Sequence, residues 1–261
     1  FFYCVHLRIR VKLMATQQIL LGLGGVSAVE VNASSTTNVV LATVFGSDWG
    51  SDVEKIYNVP SGVTIGGTGS AAALVVSSGM SGTLVINVSG TVIGTAGAGG
   101  NGGAGGYGGT PSNSGSAGGA GRDAISVASS GVTINNLSGG QISGGGGGGG
   151  GGGQGGRSGA FIFVYAGGAG GNGGSGAGYN QSATVGGGGS AGAHPNAGSG
   201  GSGGNGGSLG NSGNSGSQGN GPAGYHSFNG TPGSGGGGGA AGKAISNAGA
   251  SWTNGLSLIH I

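Results

Sequence analysis

The stretch that decides the fold is residues 198–208, GSGGSGGNGGS, in which two glycines separate each serine or asparagine from the next. The same spacing recurs in residues 98–110, AGGNGGAGGYGGT, and in residues 166–175, and 78 of the 261 residues are glycine. A period of three is typical of polyproline-II-type helices, which have three residues per turn. Glycine keeps the N–H that proline lacks, and faces without side chains let backbones approach closely. The spacing therefore predicts a packed bundle of polyglycine-II helices.

A glycine-rich chain can also be a flexible coil or a collagen triple helix. Gly/Ser-rich segments commonly behave as flexible coils. Disordered segments are usually highly charged, however, whereas charged residues make up 5% of this chain, and apolar clusters such as residues 161–165, FIFVY, interrupt the glycine tracts. Collagen requires sustained Gly-X-Y and ~15–20% proline, while this chain has five prolines and an unbroken glycine run at 144–153.

Short β-branched runs separated by glycine and asparagine occupy residues 61–143. One unit is residues 82–94, GTLVINVSGTVIG, a second is residues 131–144, GVTINNLSGGQISG, and Val-Thr-Ile occurs at both 63–65 and 132–134. Strands of this length in a repeated unit predict stacked coils of a parallel β-helix. Residues 242–246, GKAIS, echo residues 121–126, GRDAIS. We therefore expect a mainly β and irregular fold with almost no α-helix, in which the chain returns to a β-coil after each glycine tract.

The charge distribution argues against several partners. The formal charge is +2, but three of the seven basic residues and the only cysteine precede Met14, the first plausible start. From Met14 onward four basic residues stand against five acidic ones, a formal charge of −1. Such a chain has no basic patch for nucleic acid and no disulfide framework. No run approaches the ~18 apolar residues of a membrane span, so we expect neither nucleic-acid binding nor membrane embedding.

Motifs that would carry chemistry are weak. Residues 118–126, GGAGRDAIS, match the nonapeptide calcium repeat, but the match occurs once, and shared ions need successive copies. We therefore interpret Asp123 as a local partner of Arg122 or a turn cap. Asp48, Asp52 and Glu54 cluster on one turn that is more consistent with a solvated surface than with a catalytic pair. The histidines show no triad or metal-ligand spacing. We expect no enzymatic activity, no metal and no cofactor.

Aromatic and polar residues decorate the interruptions of the glycine repeat. Tyrosine, asparagine, serine and glycine are the residues with which antibody-like paratopes combine rigid contact and adaptable hydrogen bonding, and aromatic faces also suit sugars. The alternative is that the rings only seal the ends of the glycine bundle. The residues predicted to bind a receptor are Tyr165, Tyr179, His194, Tyr225, His226 and Phe228.

The chain resembles the glycine-rich tail-fibre adhesins and related receptor-recognising proteins of tailed bacteriophages. The resemblance is carried by residues 58–66, NVPSGVTIG, by residues 131–136, GVTINN, by the poly-Gly tract and by the re-entry at 242–245. It implies a sandwich of polyglycine-II helices whose apical loops bind a host outer-membrane protein or glycan, and an N-terminal part that attaches to other tail-fibre proteins. It also implies location in the virion tail, outside the host cell.

The domain organisation expected from composition and resemblance has six parts. Residues 1–13 read as an untranslated upstream segment, and residues 256–261, LSLIHI, read as the translation of a sequencing adapter, with a genuine terminal strand as the alternative. Between these ends we predict an N-terminal attachment region at 14–60, with strands at 39–45 and 56–59. The remaining parts are β-helix-like coils with the first glycine tract at 61–143, a polyglycine-II region with recognition loops at 144–241, and a return to the β-coil at 242–255.

Three functions are compatible with this sequence. The first is a receptor-binding phage tail protein, the second is a glycine-rich structural surface protein without a specific ligand, and the third is an ice-binding protein. Ice binding is disfavoured because regular threonine rows are absent from residue 144 onward.

The first prediction concerns the two ends. Deletion of residues 1–13 and 256–261 should leave the thermal unfolding temperature unchanged, because neither segment continues the repeats. A large loss of thermal stability in the doubly truncated chain, compared with the full chain, would contradict this prediction.

Overall fold

The structure is a computed structural model that describes residues 27–106, 113–160, 163–222, 230–247 and 252–254. Its strands form three parallel sheets, and each coil of the chain contributes one strand to each sheet in turn. This is the predicted parallel β-helix.

The first sheet contains β1 (Val29–Asn32), β4 (Lys55–Val59), β7 (Leu84–Val88), β10 (Val132–Asn136) and β15 (Trp252–Asn254). The second contains β2 (Thr36–Thr37), β5 (Thr64–Gly66), β8 (Thr91–Ile93) and β11 (Gln141–Ser143), and the third contains β3 (Val39–Val40), β6 (Leu74–Val76), β9 (Ile125–Val127) and β14 (Ile245–Asn247). A separate antiparallel hairpin joins β12 (Ser158–Ala160) to β13 (Phe163–Tyr165).

Alternation of apolar and polar residues builds the β-helix core. On β7, Leu84, Ile86 and Val88 are completely buried, and the residues between them face outward. Strands β4 and β10 have the same burial pattern in matching register. Because a shift of one residue would turn every apolar side chain outward, the register is strongly specified.

An asparagine ladder reinforces this register on the outer face of the first sheet. The Nδ2 of Asn135 donates to the Oδ1 of Asn87 at 2.8 Å, and the Nδ2 of Asn87 donates to the Oδ1 of Asn58 at 2.9 Å. Asn58 in turn donates to the Oδ1 of Asn32 at 3.0 Å. The ladder therefore links four successive coils.

The strand predicted at 39–45 is wrong over most of its length. Only Val39 and Val40 form a strand, and Leu41–Phe45 form the short helix α1. Leu41 and Phe45 are four residues apart, so a helix brings both onto one face, and both are buried. The helix continues into a 3-10 turn at Gly46–Gly50, whose Trp49 stacks on Phe45 with 6.3 Å between ring centroids. The strand predicted at 56–59 is confirmed as part of β4.

The two sequence repeats have different outcomes. The Ala-Ile-Ser echo is confirmed, since β9 and β14 pair in parallel with Ile125 opposite Ile245. Asp123 stabilises this re-entry, because its Oδ1 accepts a 2.6 Å hydrogen bond from the backbone N–H of Lys243. The carboxylate therefore caps a backbone N–H group of the next coil. The two Val-Thr-Ile copies are not structurally equivalent, because β5 lies in the second sheet and β10 in the first.

Eight extended glycine-rich segments, named PG1–PG8 here, form one bundle beside the β-helix. Their backbone N–H groups donate to neighbouring segments with a period of three residues, as expected for polyglycine-II packing. PG1 and PG2 are inserted between β8 and β9, and PG3–PG8 between β11 and β14. The segments are PG1 (95–105), PG2 (113–122), PG3 (144–156), PG4 (166–177), PG5 (184–193), PG6 (197–207), PG7 (211–220) and PG8 (230–242).

PG3 is the centre of the bundle. Every N–H of residues 145–156 donates to a surrounding segment, in rotation to PG2, PG4 and PG7. Every carbonyl of residues 145–154 accepts in return, in rotation from PG1, PG6 and PG8. A Cβ at any glycine of 144–153 would overlap a neighbouring backbone carbonyl. The unbroken glycine run therefore marks the segment that has neighbours on all sides.

The six segments around PG3 form a closed ring in the order PG1, PG2, PG8, PG7, PG6 and PG4, and PG5 lies outside the ring against PG4 and PG6. Each ring segment has one face toward solvent, and on PG6 that face carries Ser202 and Asn205, both exposed. The non-glycine residue that recurs at every third position of the sequence is thus the one residue per turn that faces solvent.

Lys55 is a completely buried cation at an inward position of β4. Its Nζ donates to the carbonyls of Ser51 at 2.9 Å, Val53 at 2.9 Å and Ser81 at 2.8 Å. Burial lowers the pKa of this amine, and the nearby carboxylates of Asp48 and Asp52 oppose the shift. The acidic turn at residues 48–54 thus lies beside the buried ammonium of Lys55, and the sequence does not indicate that Lys55 is buried.

A matched pair of glycine substitutions tests the bundle. A Cβ at Gly203 would overlap the carbonyl of Asn172, whereas a Cβ at Gly188 on PG5 meets nothing within 4 Å. Gly203→Ala should lower the free energy of unfolding by ~1–3 kcal/mol, and Gly188→Ala should change it by less than about 0.5 kcal/mol. Equal effects of both changes in denaturant unfolding would argue against close packing of PG6.

Replacement of Lys55 tests the buried ammonium. Lys55→Met keeps the length of the side chain but leaves three carbonyls without their donor. Because hydrogen bonds to charged groups contribute ~1.5–3 kcal/mol each and the loops can partly rehydrate, we expect a net loss of about 2–4 kcal/mol in unfolding free energy. Lys243→Met is the control, since Lys243 is exposed; equal stability of the two variants would refute the structural role of Lys55.

Candidate functional site

The turns that link the glycine segments lie at two opposite ends of the bundle. PG3 leaves β11 and extends thirteen residues away from the β-helix, which corresponds to roughly 40 Å at ~3.1 Å per residue. We call its far end the distal end. PG1, PG3, PG5 and PG7 end there, whereas PG4 and PG6 end beside the β-helix.

The hairpin β12–β13 shapes one side of the distal end. It follows PG3 directly, and its Ser158 is opposite Tyr165. At its base the buried Gln154 accepts a hydrogen bond from the N–H of Asn113 at 3.0 Å and donates to the carbonyl of Gly106 at 3.2 Å. Gln154 thereby ties together the two chain ends of the turn between PG1 and PG2.

Tyr165 and His194 are brought together at the distal end, although 29 residues of sequence separate them. Their rings stack with 4.1 Å between centroids and 21° between planes, and both residues are half-buried. The Nδ1 of His194 accepts a hydrogen bond from the N–H of Asn196 at 3.2 Å, and its carbonyl accepts one from the N–H of Ala197 at 2.8 Å. The tight turn thus holds the imidazole against the phenol ring.

An open groove of about 480 Å³ lies next to this stack. One wall is the turn from PG5 to PG6, including His194, Pro195 and Ser199, and the other is the end of PG7 at Asn220 and Gly221. This groove could not be predicted from the sequence. Its walls are turns whose proximity depends on the ring arrangement of the segments, and sequence order does not show that arrangement.

Tyr179 lies at the other end of the bundle. Its backbone N–H donates to the carbonyl of Gly94 at 3.2 Å, and its ring lies so close over Gly66 that a Cβ there would overlap it. Tyr179 therefore packs at the junction of the bundle and the second sheet, and the structure does not bring it together with Tyr165 and His194.

The remaining candidates, Tyr225, His226 and Phe228, lie outside the described residues. The chain on both sides of them is at the distal end: the carbonyl of Asn220 accepts a hydrogen bond from Gly156, and the N–H of Gly230 donates to the carbonyl of Arg157. The described residues on either side of this segment thus lie at the distal end, next to the residues that follow PG3.

The described part of the chain offers few side chains that ligate metal ions. No group of three or more His, Cys, Asp and Glu residues there is arranged to hold a metal ion. None of the helices in the described ranges is long and apolar enough to cross a membrane. From residue 124 onward the sequence contains no aspartate or glutamate at all.

Hydrogen-bonded segments that hold Tyr165 and His194 together at one end of the bundle are typical of a binding protein, since recognition residues concentrate on loops held by rigid elements. Residues 27–257 match the family model for the phage tail fibre adhesin Gp38, and the chain belongs to this family. It is therefore a receptor-binding protein of the phage tail fibre, located in the virion tail. This family assignment favours the first of the three functions considered from sequence.

Two further comparisons complete the findings. Among solved structures, the chain is similar to the crystal structure of the gp37-gp38 adhesin tip complex of the bacteriophage S16 long tail fiber. The match has 22% identity and a TM-score of 0.43, and covers 87% of this chain and 78% of that chain. Comparison with curated proteins found no match.

Proposed function

We propose that the distal end of the bundle contacts the host receptor, and that Tyr165, His194, Tyr225, His226 and Phe228 supply the contacts. The observation that carries this proposal is the stacked pair formed by Tyr165 of β13 and His194 of the PG5–PG6 turn, which lies roughly 40 Å from the β-helix. Tyrosine and other large aromatics contribute disproportionately to binding energy at interfaces. The glycine segments act as the scaffold.

The first coil of the β-helix supports attachment to the fibre through the region at 14–60. On β1, Val29 and Val31 occupy the same inward positions as Leu84 and Ile86, yet they are only half-buried, whereas Leu84 and Ile86 are completely buried. The apolar core is therefore incompletely covered at the first coil. We assign this coil to contact with another tail-fibre protein. In this proposal the protein binds without catalysis, and the receptor is a host outer-membrane protein or glycan.

Alanine substitutions at the two ends of the bundle test the location of the receptor site. The triple variant Tyr225→Ala, His226→Ala and Phe228→Ala, and the double variant Tyr165→Ala and His194→Ala, should each reduce adsorption to host cells at least tenfold, because they remove aromatic contacts at the distal end. Circular dichroism should show that both variants remain folded.

Tyr179→Ala is the matched control. It should retain adsorption and instead lower the unfolding temperature, because the Tyr179 ring packs on Gly66 at the junction. Normal adsorption by both distal variants would mean that the rings only seal the bundle, and the distal-end proposal would then be abandoned.

A further inference from the structure

We propose that the distal groove between the PG5–PG6 turn and the end of PG7 binds a neutral pyranose unit of a host cell-surface glycan. The inference rests on the proposed function, because it gives the chemical class of ligand at the same end of the molecule. It depends on the size of the groove, on the chemistry of its lining and on the charge of the surrounding chain.

The groove has the dimensions of a small-ligand site. Its volume of about 480 Å³ lies within the ~300–1,000 Å³ of pockets that hold small molecules. Five alanines and glycines at the adjoining ends of PG5 and PG6 line it, and no leucine, isoleucine or phenylalanine does so among the described residues. Protein partners usually anchor large side chains in well-packed pockets, and the described residues of the lining form no such pocket. A compact polar ring fits the groove better than the side chain of a protein loop.

Polar groups are fixed at one wall of the groove. The Nδ2 of Asn220 donates to the Oγ of Ser199 at 2.7 Å, and the backbone N–H of Asn220 donates to the carbonyl of Ser199 at 2.8 Å. Two hydrogen bonds thus orient Asn220 while the residue stays exposed. Its Oδ1 accepts no hydrogen bond from the described residues and can accept one from a ligand hydroxyl. A serine hydroxyl and an amide oxygen held side by side suit the adjacent hydroxyls of a sugar ring.

An apolar platform lies beside these polar groups. His194 lines the groove, and its stacking on Tyr165 fixes the plane of the imidazole. Pro195 is the next residue in the lining and is exposed. The negative face of an aromatic ring attracts the positive edges of C–H groups, so the C–H face of a pyranose can pack on this surface while its hydroxyls reach Ser199 and Asn220.

The charge of the site selects a neutral ligand. None of the described residues that line the groove is Asp, Glu, Lys or Arg. A charged ligand group would find no counter-charge among the described lining residues to compensate for the hydration that it loses on contact. Neutral hexoses and N-acetylhexosamines avoid this cost and satisfy their hydroxyls with the polar wall.

Ligand binding can be measured directly on the full chain. Saturation-transfer NMR with the methyl pyranosides of glucose, galactose, mannose and N-acetylglucosamine should give signals for at least one of them. The affinity for that pyranoside, measured by titration, should fall at least tenfold in Asn220→Ala and in His194→Ala. Asn214→Ala is the matched control, because Asn214 is exposed on the same segment away from the groove, and it should bind like the parent chain.

Two results would overturn the inference. One is the absence of saturation transfer from every pyranoside, and the other is binding that neither Asn220→Ala nor His194→Ala weakens. Adsorption to host cells separates this inference from the proposed function. If adsorption survives periodate oxidation of the cell-surface sugars but not protease treatment of the cells, the receptor is a protein and the pyranose inference fails while the distal-end proposal stands.

Discussion

The whole structure depends on how the backbone of PG3 satisfies its hydrogen bonds. A buried peptide group without a partner is costly, and an extended segment makes no hydrogen bonds within itself. PG3 avoids this cost, because the N–H groups of residues 145–156 donate to three neighbouring segments and the carbonyls of residues 145–154 accept from three others. This arrangement requires that no side chain lie between PG3 and any of its six neighbours. Glycine is entropically expensive to order, but here each ordered residue of 145–154 gains both a donor and an acceptor partner. The ring segments then need glycine only where they face PG3 or one another.

The β-helix supplies what the glycine bundle lacks, namely an apolar core and a fixed register. Glycine segments bury little apolar surface, and the hydrophobic effect is the dominant favourable term in folding. The completely buried Leu, Ile and Val residues lie in the coils, and the asparagine ladder locks successive coils together. Since the bundle emerges from β8 and β11 and returns to β9 and β14, the coils also set the positions from which the first glycine segments start.

The glycine bundle and the β-helix could both be predicted from the sequence, because each produces a short repeating pattern of residues. A period of three marks the glycine segments, and the alternation in residues 84–88 and 132–136 marks the strands. The strand predicted at residues 39–45 was wrong because the β-branched residues there favour a strand, whereas the burial of Leu41 and Phe45 favours a helix. Lys55 and Gln154 look like surface residues in sequence, and their burial depends on distant carbonyls and N–H groups. The central place of PG3 did have a sequence signal, because only a segment with neighbours on all sides needs glycine at every position of a long run.

The separation of Tyr165 from Tyr179 follows from a counting rule that applies to any such insertion. Segments alternate in direction, so consecutive turns lie at opposite ends of the bundle. Each insertion must also return to the β-helix and therefore contains an even number of segments: two in the first and six in the second. An even number always places one more turn at the distal end than beside the β-helix. Adding a pair of segments thus adds a distal turn while the re-entry into the third sheet stays unchanged. The same hydrogen-bond geometry that demands glycine in PG3 places no such demand on the residues that follow each segment at the distal end, and that freedom suits the end that we propose contacts the host.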